Sequence, residues 1–284
     1  EVGLVAVAEQ PNTNPPLKDI GTIEKRLRVC EDLRGDVVHG IHVAFTSDFR
    51  QQGHALGLAM SHRGVCSCKT FYVRSTASGD IEITNPEQQR NAWRRTAELG
   101  FTGNHIGHFE DGDLFKEKFN PENPVSHSLR QCPEAEVIQV ERQLKNAYDF
   151  GFKGNFVVLH TSNPDTIDLG NSFVKKMNPE FRVIYETTFH HMFLNWEDYK
   201  IHGNRVKMNP PLREREMQER LFEYVVSGRT HLIGTDHAPH PIEDKDGNPY
   251  KSGIPAIPFW PKGIQLLRKA GIRENRLKKI TFDN

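Results

Sequence analysis

The alternation of two kinds of segment along the chain limits its fold more than any other feature. Seven short apolar segments, rich in β-branched and aromatic residues, are separated by longer charged ones in which apolar residues recur every three or four positions. This spacing is typical of buried strands alternating with amphipathic helices, so it predicts an α/β fold with βα units around a parallel sheet. The predicted strands are 3–8, 38–46, 66–73, 103–109, 156–161, 182–188 and 231–235.

Two architectures share this alternation, the open doubly wound sheet and the closed eight-stranded barrel. The chain has 284 residues, and a barrel typically needs about 250. A barrel needs eight strands, and only seven are predicted in a chain that opens almost directly on one of them, so a barrel would have one further strand upstream. Helices are predicted over 85–99, 135–150, 214–226 and 262–270, and loops over 12–18, 121–124 and 240–258.

Composition removes several classes of function. The 37 basic and 37 acidic residues cancel, which leaves no electrostatic case for binding nucleic acid or an anionic membrane. No apolar run reaches the roughly 18 residues of a membrane span, and the first residues lack the features of a signal peptide, so a cytoplasmic location is expected. The cysteines are too few for a disulfide framework and form no CxxC motif, so we expect reduced core thiols at Cys30, Cys66, Cys68 and Cys132.

Candidate metal ligands follow the ends of several predicted strands. His108 ends NHIGH, His160 ends FVVLH, and Asp236 follows LIGT. The carboxyl ends of barrel strands meet at one face, where barrel enzymes build their active sites. Imidazole nitrogens and carboxylate oxygens suit zinc and related divalent ions. A single histidine at a strand end is usually a core residue, so the joint occurrence of these residues is what indicates a metal site.

Lys69 is an unusual member of this set because lysine is normally an ammonium and a poor ligand. It lies within VCSCKTFYV, a β-rich run that predicts burial, and burial lowers the pKa of a lysine. A neutral amine can add carbon dioxide to give a carbamate whose oxygens bridge two metal ions. The alternative is an ordinary surface charge.

The segment GTDHAPH at 234–240 is the densest polar cluster of the sequence. Asp236 would bind metal and also shuttle a proton, since a carboxylate beside a metal-bound hydroxide accepts its proton and returns it to a leaving nitrogen. A turn marked by aspartate and proline is the alternative for this segment. For His190 and His191, a helix start or a position behind the metal ligands is favoured.

These motifs resemble those of a known family. Three segments are similar to signature segments of bacterial-type dihydroorotases, metal-dependent enzymes of the amidohydrolase superfamily, in the same order: QPNTNPP at 10–16, KMNPPLR at 207–213 and GTDHAPH at 234–240. Four others resemble further family segments: HFED at 108–111, PEAE at 133–136, VLHTS at 158–162 and TFHHM at 188–192. The resemblance implies that residues 1–284 are one TIM (β/α)8 barrel domain, running from strand 2 to beyond strand 8.

The resemblance also implies an activity, the reversible cyclisation of N-carbamoyl-L-aspartate to L-dihydroorotate in pyrimidine biosynthesis. Two zinc ions would hold a bridging hydroxide as the nucleophile. Lys69 would be the carboxylated lysine that bridges them, and His108 and His160 would bind the second ion. Asp236 would be a ligand and the general base and acid.

Other positions correspond to substrate contacts of the family. Asn12 and His240 would bind the free carboxylate of the substrate, while Asn209 and Arg213 would line its pocket. An ordinary surface arginine is the alternative for Arg213. The related hydantoinases and dihydropyrimidinases usually lack the three signature segments, so dihydroorotate is the favoured substrate.

One part of the family pattern is missing. The first strand of the family ends in a His-x-His pair followed by an arginine, and neither precedes Pro11. Four histidines come after that segment and are taken as ordinary residues: His39, His42, His54 and His62. We expect that the first strand and the small β-subdomain that flanks the family's barrel belong to parts of the protein outside this chain.

Two alternatives to an active dihydroorotase stay open. The first is an inactive dihydroorotase-like scaffold that assembles with a transcarbamoylase, and the second is a hydantoinase or dihydropyrimidinase. A homodimer is a further expectation carried by the resemblance.

Overall fold

The computed structural model describes residues 3–32, 35, 37–74 and 80–281. In these residues seven strands form one sheet, and each strand pairs in parallel with the next along the chain. Parallel neighbours need a crossover between them, so this order is the βα repeat predicted from the sequence. The strands are β1 (Ala6–Glu9), β2 (Val38–Ala44), β3 (Val65–Phe71), β4 (Asn104–His108), β5 (Asn155–Val158), β6 (Arg182–Thr188) and β7 (Leu232–Gly234).

Helices occupy the connections. No helix in the described ranges is both long and apolar enough to cross a membrane. Single 3₁₀ turns lie at Gly112–Leu114, Gly203–Val206 and Ile257–Phe259. The α-helices are α1 (Ile20–Asp32), α2 (Phe49–Ser61), α3 (Pro86–Glu98), α4 (Ser126–Arg130), α5 (Pro133–Asp149), α6 (Pro164–Met177), α7 (Phe189–Phe193), α8 (Asp198–His202), α9 (Arg215–Val226), α10 (Ile242–Asp246), α11 (Trp260–Lys269) and α12 (Glu274–Thr281).

Asparagine–proline pairs determine where two of the long helices begin. The Asn85 side chain accepts hydrogen bonds from two backbone N–H groups in the first turn of α3, and Pro86 occupies the first helical position. At the start of α6, Asn163 accepts one such hydrogen bond, from the N–H of Asp165, and Pro164 occupies the first helical position. The cap satisfies N–H groups that have no partner within the helix, and proline has no N–H to satisfy.

The apolar core lies between the sheet and its helices. Trp93 of α3 stacks on Phe156 of β5, with ring centroids 5.4 Å apart, and its edge meets Phe152 at 5.2 Å. A smaller cluster of Ile106, Val157 and their neighbours lies on the opposite face of the strands. Both faces of the sheet are therefore covered with apolar side chains, as expected for parallel strands.

The sheet curls, and its two edges face one central cavity. Residues of β1, such as Ala8, line this cavity together with Ile233 and Gly234 of β7. In the described residues no strand lies between β7 and β1. All seven predicted strands are confirmed, and the architecture matches the expected barrel without its first strand.

Two expectations need correction. The predicted loop at 240–258 contains α10 and the turn Ile257–Phe259, because Pro241 and Pro258 lie at the beginnings of these elements, where proline is tolerated. The prediction of four core thiols is wrong for Cys66, which is exposed, and Cys30 is only partly buried. Cys66 and Cys68 share one face of β3, but the packing that buries Cys68 does not extend to the beginning of the strand.

Candidate active site

Alternation along β3 directs Lys69 into the central cavity. Cys68 belongs to the core between the sheet and the helices, so Lys69, one residue further on, faces the opposite side. Lys69 is 3% exposed, and its Nζ lies 4.5 Å from the centroid of the Phe71 ring. Burial lowers the pKa of Lys69 to about 8, although the charges of Asp236 and Glu186 act in the opposite direction. A substantial fraction of this lysine is therefore a neutral amine in mildly alkaline solution.

His108 at the end of β4 and His160 just beyond β5 face each other. The Nδ1 atom of His108 lies 3.2 Å from Nε2 of His160. On the other side of its ring, Nε2 of His108 lies 2.8 Å from Oε2 of Glu110. A carboxylate only accepts hydrogen bonds, so this nitrogen carries the proton and Nδ1 keeps a lone pair. Burial holds the pKa of His160 well below its ordinary value, so its ring is neutral.

Two carboxylates share the cavity with these groups. Glu186 of β6 accepts a hydrogen bond from the backbone N–H of His160 at 3.3 Å, and burial raises the pKa of Glu186 to about 7. Burial also raises the pKa of Asp236, which the charge of Lys69 opposes. Lys69, His108, His160, Glu186 and Asp236 all line one cavity of about 1110 Å³. The four predicted metal-site residues are therefore brought to one place.

The backbone turns sharply at two of these residues. His160 and Asp236 have φ angles of 36° and 42°, in the left-handed region that costs a residue with a side chain roughly 1–2 kcal/mol. Such conformations cluster at functional sites, where the surrounding structure holds them. A close approach occurs just before Asp236, because a Cβ atom on Gly234 would lie 2.5 Å from the Cδ atom of Glu186. A side chain at 234 would require the Glu186 carboxylate to move from its observed place.

Three of the predicted substrate-binding residues line the same cavity, namely Asn12, His240 and Asn209. His240 Nε2 lies 2.9 Å from the backbone carbonyl oxygen of Ser252. The Oδ1 atom of Asn209 accepts a hydrogen bond from the His127 ring at 2.9 Å. These contacts hold the His240 and Asn209 side chains at the cavity wall.

Arg213 lies elsewhere. It is 2% exposed, so the alternative of a surface arginine is wrong, because NPPLR is a buried segment and not a surface turn. Its guanidinium donates to Ser162 Oγ at 3.0 Å and to the Gln131 carbonyl oxygen at 2.5 Å. Its Nη2 atom lies 3.9 Å from Oε1 of Glu110. Arg213 thus supports the residue that holds His108, and it is not among the residues that line the cavity.

Sequence reasoning missed Glu110 and Glu186. Glu110 stands two positions after His108, in a motif that was noticed only for its resemblance. Glu186 follows Tyr185 on β6, and its carboxylate could have been suspected from its place between apolar residues of a predicted strand. His42, taken as an ordinary histidine, also lines the cavity, with Nδ1 2.6 Å from Ser67 Oγ.

His190 lies behind Asp236. Its Nε2 atom is 3.9 Å from the Oδ2 atom of Asp236, and both of its ring nitrogens are buried without a hydrogen-bond partner in the described part of the chain. His191 is fixed differently, with Nε2 2.9 Å from the carbonyl oxygen of Pro210. Both histidines therefore lie at the start of a helix, and His190 also lies behind a predicted metal ligand, which are the two positions favoured from the sequence.

The histidine pair has the spacing of two ligands on one cation. Two nitrogens bound to zinc at about 2.0–2.1 Å lie roughly 3.3 Å apart in tetrahedral geometry, and the two nitrogens of His108 and His160 are 3.2 Å apart. Across the described residues, no three side chains of His, Cys, Asp or Glu come together as a metal-binding group. The pair alone supplies two imidazole nitrogens of the kind that bind zinc, and a metal at this place, including the expected pair of zinc ions, stays a prediction.

Similarity to known proteins covers nearly the whole chain. The dihydroorotase of Archaeoglobus fulgidus is 30% identical over 272 residues, which are 95% of this chain and 60% of that protein. The dihydroorotase of Thermococcus kodakarensis is 29% identical over 260 residues, 90% of this chain and 52% of that protein. The chain thus spans about three fifths of the length of the first relative and about half of the second. No family model matches the chain.

Solved structures agree on the fold. L-hydantoinase (dihydropyrimidinase) from Arthrobacter aurescens superposes with a TM-score of 0.81 at 19% identity, covering 98% of this chain and 62% of that one. Dihydroorotase from Saccharomyces cerevisiae, in complex with 5-fluoroorotic acid, gives a TM-score of 0.76 at 18% identity, covering 99% and 75%. The curled parallel sheet therefore has the α/β barrel fold of these solved enzymes, without one strand in the described residues. In sequence the chain is similar to the archaeal dihydroorotases over nearly its whole length.

Proposed function

We propose that the protein is a cyclic amidohydrolase that interconverts N-carbamoyl-L-aspartate and L-dihydroorotate. The observation that carries the proposal is the meeting of Lys69, His108, His160 and Asp236 in one cavity, in a chain related to archaeal dihydroorotases. Hydrolysis of an unstrained amide needs an activated water, a polarised carbonyl and a proton donor for the leaving nitrogen. The cavity contains side chains suited to each of these needs.

His108 and His160 would hold a divalent cation. When bound, a cation at this place supplies a Lewis acid and lowers the pKa of water. Glu110 fixes the proton of His108 on Nε2, which leaves the Nδ1 lone pair free to bind. Two zinc ions are the form we propose, with Lys69 joining them after carboxylation.

Lys69 has the two properties that carboxylation requires. Its amine is partly neutral because burial lowers its pKa to about 8, and it is enclosed at the end of a strand. In the reaction the amine lone pair attacks carbon dioxide, one N–H proton is released, and a carbamate anion results. The carbamate reverses the charge at this position and removes a buried cation from the cavity.

Asp236 is proposed as the base and acid. Its pKa is raised by burial, which brings the carboxyl closer to the range in which proton transfer in both directions is efficient. In ring opening Asp236 takes the proton of the attacking water and returns it to the ring nitrogen. In ring closure the same proton moves the other way.

The free carboxylate of the substrate would be bound by Asn12 and His240. Holding a group remote from the reacting amide orients that amide, and this orientation contributes to rate. Substrates of hydantoinases have no such carboxylate, so these two residues are the proposed source of specificity. The substrate role of Arg213 would be indirect, through Glu110.

The test is turnover by the purified protein supplied with Zn²⁺. We expect hydrolysis of dihydroorotate and a loss of about 100-fold or more in kcat for Asp236→Asn. Turnover of hydantoin or dihydrouracil in place of dihydroorotate would favour the related amidohydrolases. A protein that binds no zinc and turns over none of the three substrates would favour the scaffold that assembles with a transcarbamoylase.

A cytoplasmic location and a homodimer accompany the dihydroorotase proposal. Gel filtration of the purified protein measures its oligomeric state, and fractionation of cells measures its location.

A further inference from the structure

A second cavity, of about 530 Å³, lies beside the central one. Asn209 and Ser252 line both cavities. The second cavity is formed by the segment that follows β3, the segment 111–119, and α4 with the residue after it. None of the residues proposed to bind metal contributes to its wall.

Positive charge predominates in this second cavity. Four cationic side chains line it: Arg74, Lys118, Arg130 and Lys207. Two acidic residues, Asp111 and Asp113, also line it. The charge of Asp111 is already matched by Arg142, at 2.7 Å.

Lys207 is a buried cation without a carboxylate partner. It is 5% exposed, and its ammonium donates to Ser252 Oγ at 2.7 Å and to the Tyr250 carbonyl oxygen at 2.8 Å. Its Nζ also lies 5.0 Å from the centroid of the Phe119 ring. In the ranges that the structure describes, both hydrogen-bond partners of the Lys207 ammonium are uncharged. Buried charges in proteins are usually paired, so a missing counter-ion is an unusual feature.

Arg130 adds a second charge directed at the same space. Its guanidinium donates to the carbonyl oxygen of Glu117 at 2.9 Å and packs over the Phe115 ring, and no carboxylate within the described residues pairs with it. Burial, together with the charge of Arg130, lowers the pKa of Lys207 to about 8. The two cations therefore repel each other across the cavity, and an anion between them would relieve this repulsion.

Hydrogen bonds from a second buried lysine hold the backbone that carries Lys207. The ammonium of Lys245 donates three hydrogen bonds, to the carbonyl oxygens of Lys207, Lys251 and Gly253, at 2.7, 2.9 and 2.8 Å. These bonds connect the extended segment at Lys207 to the loop that carries Ser252. Lys207 and Ser252 are thus held in position before any ligand arrives, which lowers the entropic cost of binding.

We propose that this second cavity binds an oxyanion, the phosphate or carboxylate group of a small molecule, between Lys207 and Arg130. Arg74 and Lys118 are exposed cations at its rim and would attract the anion. The anion has two possible sources. It is either the free carboxylate of the substrate, which would then extend past Asn209 and leave Asn12 and His240, or a separate phosphorylated molecule. The site stands on the charges of this cavity and does not depend on the hydrolytic function proposed above.

Titration calorimetry with inorganic phosphate tests the site in the purified protein. Phosphate should bind to the unaltered protein, and its affinity should fall by about tenfold or more in Lys207→Met and in Arg130→Met, because each removes a hydrogen-bonding cation. Lys262→Met, an exposed change on α11 away from the cavity, is the matched control and should leave the affinity unchanged. If Lys207→Met fails to fold, Arg130→Met still decides, since its side chain bonds only one backbone oxygen.

A repeat titration with saturating N-carbamoyl-L-aspartate identifies the source. Loss of phosphate binding assigns the site to the substrate carboxylate, and unchanged binding assigns it to a separate anion. Absence of phosphate binding, or equal affinity in Arg130→Met and the control, would overturn the proposal.

Discussion

The bond between Glu110 and His108 gives the sharpest prediction about metal binding. Both side chains are buried, with 0% and 4% of their side-chain surface exposed, and the two atoms are 2.8 Å apart. A hydrogen bond to a charged group contributes about 1.5–3 kcal/mol, which corresponds to roughly 10- to 150-fold in an equilibrium constant. Outer partners of ligating histidines typically change metal affinity by about 10- to 100-fold. The two estimates agree.

The variant Glu110→Gln should reverse the direction of this hydrogen bond, so that residue 110 donates and the His108 ring accepts. Its amide oxygen should turn toward the Arg213 guanidinium, whose Nη2 atom lies 3.9 Å from Oε1 of Glu110. The amide NH₂ group then faces His108 and donates to Nε2, which moves the ring proton to Nδ1. That proton blocks the atom that faces His160, so we expect zinc affinity to fall by about 10- to 100-fold.

Competition with a chelating dye measures the zinc affinity, and urea unfolding of the metal-free protein checks that the variant is folded. Glu134→Gln is the matched control, because it makes the same chemical change at an exposed position at the start of α5. Long-range nitrogen couplings in the NMR spectrum of the metal-free protein report the tautomer of His108 directly. A folded Glu110→Gln protein with unchanged zinc affinity and the proton still on Nε2 would refute the reasoning.

Three further predictions concern catalysis and stability. Lys69→Met should abolish detectable carboxylation, seen as loss of the carbamate signal from ¹³C-labelled carbon dioxide, while a Lys262→Met control keeps it. Phe156→Ala should lower the free energy of unfolding by about 3–5 kcal/mol, because it removes a fully buried ring stacked on Trp93; a urea midpoint equal to that of the parent would contradict the packing. Burial lowers the pKa of Lys245 from 10.5 to about 7. Between these pH values Lys245 holds fewer protons in the folded chain than in the unfolded chain, so the free energy of unfolding should rise with pH across that window. Urea titrations at several pH values check this, and Lys245→Met should show a smaller rise.

The alternation of short β-rich segments with amphipathic ones was sufficient to predict the sheet, although a strand such as β4 (NHIGH) is not continuously apolar. The burial of Lys69, predicted from the β-rich run around it, is confirmed, although Cys66 in the same run is exposed. The site roles of Lys69, His108, His160 and Asp236 stay predictions, although the structure places all four in one cavity.

Contacts between residues that are far apart in the sequence could not be predicted from the sequence. Glu110 matters because it meets His108 on one side and Arg213 on the other, and Arg213 comes from a loop about a hundred residues away. The charges around Lys207 could not be assigned either, since Lys207 and Arg130 are neighbours only after the chain has folded. Local patterns specify elements, whereas these relationships depend on how loops return to the sheet.

The absence of a side chain at Gly234 has a consequence for related sequences. A methyl group at this position would occupy the space of the Glu186 carboxylate, on the strand alongside. A change at 234 therefore affects the place of the carboxylate at 186. Where a relative has a larger residue at 234, we expect a shorter residue at 186 or a carboxylate turned away from position 234, and with it a change in the charges next to Lys69.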